Sequence, residues 1–163
     1  MGNIFITSDT HFHHANIIKY CNRPFKDTFQ MDECMIENWN KVVKQEDKVY
    51  HLGDVYFPKF KSEADLLFKR LNGTKVLILG NHDKGKDQLL LRYFSRIYSY
   101  RILPEFKLML SHVPIHKDSL QKRCEWNVHG HTHNKGSPEG PYKSACVELH
   151  NYTPVYIESF LNG

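Results

Sequence analysis

The sequence predicts a layered α/β or α+β domain, and three observations carry that reading. Short apolar runs alternate with helical patterns as far as "KDQLLLRYF", a series of strand-like segments follows, and no repeat, low-complexity stretch or linker interrupts them. A length of 163 residues favours one domain, residues 1–163, around a single core.

The elements follow in order. "NIFIT" reads as a buried strand and "HANIIKYC" as a short helix. In "MDECMIENWNKVV" the residues Met31, Met35, Ile36, Trp39 and Val42 or Val43 recur at helical spacing. Asp32 and Glu33 stand early in it and Lys44 late, which suits the helix dipole. "KVYHL" is a strand. "SEADLLFKRLNG" is an amphipathic helix from Ser62, acidic in its first turn and stopped by Gly73. "TKVLIL" is a strand and "KDQLLLRYF" a helix. "SRIYSYRIL", "FKLMLS", "CEWNVHG", "SACVEL" and "TPVYIES" read as successive strands. They are separated by "PE", "HKDSLQKR" and the Gly/Pro-rich "NKGSPEGPY".

Composition narrows the function. A formal charge of +4 with no dense Lys/Arg tract tolerates an anionic partner without marking a nucleic-acid binder. Cys21, Cys34, Cys124 and Cys146 form no C-x-x-C pair, which argues against a thiolate zinc site or a disulfide framework. No leader pattern or run long enough to span a bilayer occurs, so the expectation is a soluble, cytoplasmic protein with no membrane partner. Position 6 is Ile rather than Ser or Thr, which removes a myristoylation signal at Gly2. Eleven histidines are an unusual number, and imidazole is the commonest side-chain metal ligand.

Five apolar runs end in the same short set of residue types. "NIFITS" leads to Asp9 and His11, "KVYHL" to Gly53-Asp54, "TKVLIL" to Gly80-Asn81-His82-Asp83, "KLMLS" to His112, and "WNVHG" to His131 and His133. Ligand sites of open α/β sheets lie beyond the carboxyl ends of the strands, so these tips should converge. Carboxylate, imidazole and one amide oxygen suit manganese, iron, zinc or nickel. Asp9, His11, Asp54, Asn81, His112, His131 and His133 are too many donors for one tetrahedral ion and fit two ions sharing a bridging carboxylate. Each piece alone has a plain structural reading, such as a turn, a cap or a buried histidine; their joint order favours the metal. The glycines before Asp54, Asn81 and His131 would let the backbone turn sharply at the strand end.

The series Asp9-x-His11, Gly53-Asp54, Gly80-Asn81-His82-Asp83, His112, Gly130-His131-x-His133 resembles the calcineurin-like metallophosphoesterase superfamily. It looks most like the small single-domain bacterial and phage phosphoesterases, which have a similar "SDTHFHHANIIKYCNRPF" opening and "YHLGDV" block. The resemblance implies two packed mixed β-sheets flanked by helices and a dinuclear centre, with manganese the first choice of ion. It implies that Asp9, His11 and His133 hold one metal, that Asn81, His112 and His131 hold the other, and that Asp54 bridges them. It also implies that His82 points at the substrate, as general acid or as a cation stabilising the transition state. Asp83 would fix the His82 ring, with a cap for a helix near Lys86 as the competing role.

Other residues are weighed against plainer roles. His14 and Arg23 are candidate substrate-binding residues, Arg23 because a guanidinium fork matches a phosphate. His13 and His150 read as structural and His51 as a core histidine; His116 and His129 would support ligands, and Lys84, Lys86 and Lys135 would attract an anion. The loop "NKGSPEGPYK" either shapes access to the site or is a plain hairpin. Between Val55 and Lys75 there is room for one helix and no cap domain, which leaves the site open. The expected activity is metal-dependent hydrolysis of a phosphate ester, with a lean toward phosphodiesters. The substrate would be a small ester or nucleotide, with the end of a nucleic acid also admitted. A non-catalytic scaffold of the same fold is the alternative. Other metallohydrolases fit less well: "HFHHAN" lacks the later Asp and His of an H-x-H-x-D-H site.

Overall fold

The computed structural model describes residues 2–120 and 123–161. Two residues of the "HKDSLQKR" separator, at 121 and 122, lie outside them.

Nine strands form two sheets among the described residues. They are β1 (Ile4–Thr7), β2 (Lys48–His51), β3 (Thr74–Ile78), β4 (Phe94–Tyr98), β5 (Tyr100–Leu103), β6 (Leu108–Ser111), β7 (Trp126–His129), β8 (Tyr142–Ser144) and β9 (Val155–Tyr156). The first sheet has the order β4-β3-β2-β1-β9, parallel except for β9; the second has the order β5-β6-β7-β8, parallel except for β5. The helices are α1 (Ala15–Tyr20), α2 (Thr28–Val42), α3 (Lys61–Phe68) and α4 (Gln88–Tyr93). The layered α/β reading holds, with two mixed sheets and flanking helices.

The pleat explains the layering. Ile6, Tyr50, Leu52, Val76 and Ile78 face the second sheet and pack with Leu108, Leu110 and Val128. Phe5, Val49 and Leu77 point the other way, onto Met35, Trp39, Leu67, Phe68 and Leu90 of the helices and onto Val43 just past α2. Both faces of the first sheet are therefore buried, which is why its strands read as continuous apolar runs.

Four expectations are corrected. "SRIYSYRIL" is two strands, because the chain leaves one sheet at Ser99 and enters the other. Helix α3 ends at Phe68, well before Gly73; Trp39 Nε1 donates to the Asn72 carbonyl and the Lys75 ammonium to those of Leu71 and Gly73, so the 71–73 carbonyls are satisfied outside a helix. "SACVEL" yields β8 only to Ser144 and then a 3₁₀ turn, Val147–Leu149. The connection after His133 is no hairpin: β7 and β8 pair in parallel, so the chain must cross over.

Candidate metal centre

The carboxyl ends of β1, β2, β3, β6 and β7 lie along one edge of the sandwich, and the loops leaving them meet. Asp9, His11 and His133 form one group of donors and Asp54, His112 and His131 another, each drawn within 4.8 Å. His133 Nε2 is 3.6 Å from Asp9 Oδ1, and His11 Nε2 is 3.9 Å from the same oxygen. Asp54 Oδ2 lies between the groups, 3.6 Å from His11 Nε2 and 3.4 Å from His112 Nε2. Asn81 Oδ1 joins the second group at 2.9 Å from His112 Nε2 and 3.0 Å from His131 Nδ1. All seven donors expected from the sequence are thus brought together.

Two of the buried polar atoms that lack a hydrogen bond belong to this donor set. Asp9 Oδ1 and His11 Nε2 make no hydrogen bond, although each atom is sealed from water. The other ends of these side chains are held in place. Asp9 Oδ2 accepts from Ser8 Oγ and from the His131 N–H at 2.9 Å. His11 Nδ1 lies 3.3 Å from His14 Nδ1. His112 Nδ1 donates to the Leu52 carbonyl at 2.7 Å, which turns its Nε2 toward Asn81 and Asp54.

The backbone of these loops is strained. Asp9, His11, Asp54, His131 and His133 all have φ between 48° and 70°, in the left-handed region that non-glycine residues seldom adopt. The glycines act differently from the sequence expectation. Only Gly53 has a positive φ of the three; Gly80 and Gly130 serve close approach instead. A Cβ on Gly80 would collide with Asp54, and one on Gly130 with Ser8 and Asp9.

Electrostatics distinguish the donors. Burial pushes the His11 imidazole down to about 2, leaving it neutral with a free lone pair. Burial also raises the Asp9 carboxyl. For Asp54 burial acts upward as well, but the hydrogen bond and charge of His112 outweigh it and hold the group well below the usual carboxylate range. His133 is opposed by burial, yet Cys21, Glu148 and Asp9 together hold its ring up at about 10.

Glu148 was not anticipated from the sequence. Its Oε1 sits 2.9 Å from His133 Nδ1 and accepts from Arg23 at 2.6 Å and 3.0 Å. Burial favours the neutral acid, but His133 and Arg23 hold the carboxyl down at about 2. The signal available was an acid inside the otherwise apolar "SACVEL". The same contacts correct Arg23: its guanidinium is buried and bonded to Glu148, to the Asp9 and Thr10 carbonyls and to Met31, so no donor is left for a substrate phosphate.

Asp83 is corrected too. It neither holds the His82 ring nor caps a helix; its carboxylate accepts from the Gly80, Asp54 and Val55 N–H groups at 2.8 to 3.0 Å, pinning the second loop to the third. The cap of α4 is Asp87. His82 is exposed, its N–H donates to Asp54 Oδ1 at 2.9 Å, and its ring centroid is 5.8 Å from that of His11. His14 lies on the same rim, stacked on Phe57 at 4.8 Å. The two line a cavity of about 440 Å³ with Tyr20, His133 and Lys135, so this connection does shape access to the site.

The remaining histidines separate. His51 is a core residue, 2.9 Å from Thr10 Oγ1, neutral because burial lowers it to about 3. His13 pairs with Asp32, His150 with the Ser144 carbonyl, and His129 with Ser137 and the Gly130 carbonyl. His116 supports no ligand; it is exposed and accepts from the Asp118 N–H.

A layered α/β protein with a cluster of metal-type donors at one sheet edge is the class these features define. No protein-family model matches the chain. It is 42% identical to the uncharacterized protein MJ1445 of Methanocaldococcus jannaschii, over 97% of this chain and 89% of that protein. It is 29% identical to the gene 66 protein of Mycobacterium phage D29, over 83% of this chain and 80% of the phage protein. A crystal structure of a protein of unknown function, AQ665 from Aquifex aeolicus, superposes with a TM-score of 0.77 at 31% identity, covering 98% of this chain and 97% of that one. The chain belongs to the same family as the Methanocaldococcus protein. The cysteines are free, and no helix among the described residues is long and apolar enough to cross a membrane.

Proposed function

We propose that the protein is a metal-dependent phosphoesterase of the calcineurin-like type, acting on phosphodiesters. One observation carries the reading: two donor groups share Asp54, and two of their sealed atoms, Asp9 Oδ1 and His11 Nε2, make no hydrogen bond. The donor chemistry suits two divalent cations, manganese first and iron, zinc or nickel next. Asp9, His11 and His133 would hold one, Asn81, His112 and His131 the other, with Asp54 between them. Such a pair lowers the pKa of a water and clamps phosphoryl oxygens.

The chain's own residues supply the rest. Leu52 and Glu148 fix the hydrogen-bonded nitrogens of His112 and His133, so each ring presents its Nε2. Asp83 ties the Asp54 and Asn81 loops together, which keeps the two groups in register. His82 stands at the exposed rim, where its ring reaches the leaving oxygen and gives it a proton. Val55 to Lys75 adds only a 3₁₀ turn and α3, so the site stays open to an ester with substituents on both sides.

The test is hydrolysis of bis(4-nitrophenyl) phosphate and 4-nitrophenyl phosphate with manganese, nickel, zinc and magnesium. Metal-stimulated turnover of the diester is expected. The His82→Ala variant should keep its metal and lose about 10²- to 10⁴-fold in turnover. Two bound ions with no turnover of any ester would instead favour the non-catalytic scaffold.

A further inference from the structure

A second cleft, of about 550 Å³, opens beside Asn81 and His112; His82 lines the other cavity and is not in the lining of this one. Leu79, Tyr100, Met109, Val113 and Ile115 form its apolar wall, and three serines, at 99, 111 and 119, complete the lining. Among the described residues no Lys, Arg, Asp or Glu lines it, whereas Lys135 and five histidines line the cavity that holds His82. The size is that of a small-molecule site. The wall is built. Met109 is buried at 3% exposed, while Tyr100 and Val113 stand open at 52% and 43%. The segment carrying Val113 and Ile115 is tied down: Ile115 N–H donates to Asn127 Oδ1 at 3.0 Å, and Tyr142 OH donates to the Ile115 carbonyl at 2.8 Å.

We propose that this cleft holds a flat, uncharged aromatic group, an aryl ring or a nucleobase, attached to the phosphate bound at the centre beside Asn81 and His112. The proposal rests on the phosphoesterase reading above and names its substrate class. Continuity carries it, because Asn81 and His112 belong both to the donor group and to the cleft wall. The described lining offers no lysine or arginine to pair a phosphate or carboxylate and favours apolar contact, with the Tyr100 ring available for stacking. His82 lines the other cavity and not this cleft, so the ester oxygen it protonates is assigned to the other arm, and the aromatic arm stays on the phosphate product.

The test is calorimetric titration of the manganese-loaded protein with phenylphosphonate and methylphosphonate, neither of which can be hydrolysed. Phenylphosphonate should bind about tenfold tighter, since burying one ring face is worth roughly that factor. The Tyr100→Ala/Val113→Ser double variant, altered only at exposed positions, should bring the phenyl-to-methyl ratio to about one. Equal affinities in the wild type, or a ratio that survives the double variant, would overturn the cleft while leaving the phosphoesterase reading intact. A protein that binds neither manganese nor methylphosphonate would remove both.

Discussion

Asp9 and His11 are 0% and 4% exposed, whereas Asn81 and His131 stand in the open. The two halves of the centre are thus held by different means. The first rests on a buried chain of groups, Arg23 to Glu148 to His133, with Arg23 also gripping the carbonyls of Asp9 and Thr10. The second has one sealed member, His112, and two donors on exposed loops. A buried donor without a partner is costly, so the first half should bind its ion tightly and depend on it. An exposed donor can turn to water, so the second half should exchange its ion more readily.

Asp54 belongs to both halves and should show the largest effect. Asp54→Ala should empty both groups, with metal analysis near zero and turnover of the diester down by about 10³-fold or more. Retention of two ions would deny Asp54 its bridging place. Glu148→Gln should come next and should act on one half alone. Affinity for the tighter ion should fall by about 10- to 100-fold, because the ring of His133 loses its fixed orientation. The Arg23 charge would also stay buried without its carboxylate, at a cost of about 3–5 kcal/mol in urea unfolding. Equal weakening of both ions would blur the distinction between the halves.

His131→Ala probes the open half. It should weaken the looser ion while shifting stability by no more than about 0.5 kcal/mol, as for other exposed positions. The smallest effect on metal binding is expected at Asp87, which belongs to neither donor group. Asp87 caps α4 through the Leu89 N–H at 2.8 Å and accepts from Tyr56 OH at 2.6 Å. Asp87→Ala should cost about 1–2 kcal/mol with both ions kept. Burial acts to raise the Asp87 carboxyl, but Tyr56 and the helix N–H groups outweigh it and lower the group. Its contribution is therefore full above the ordinary carboxylate range and is lost as pH falls through the lowered value. A wild-type-minus-variant stability difference that persisted at low pH would contradict this.

The ligand loops were legible because each donor follows an apolar run directly, and strand ends in such sheets share one edge. The roles of Asp83, Arg23 and Glu148 were not. Arg23 and Glu148 are separated by 125 positions, and no local pattern pairs them. Asp83 sits beside His82 in the chain, which suggested a partnership, but the tight turn aims its carboxylate back at the Asp54 loop. Strand limits failed where tertiary context ruled: Ser99 divides one apolar run between two sheets, and the end of α3 is set by contacts to residues 71–73.

The crossover from β7 to β8 carries His131 and His133 and then Asn134 and Lys135, which line the cavity beside them. On the proposed reading, ion retention and the shape of the entrance are written into one short stretch of covalent chain. An insertion or deletion there would alter both together, so divergence in what relatives admit should travel with divergence in how firmly they keep their ions.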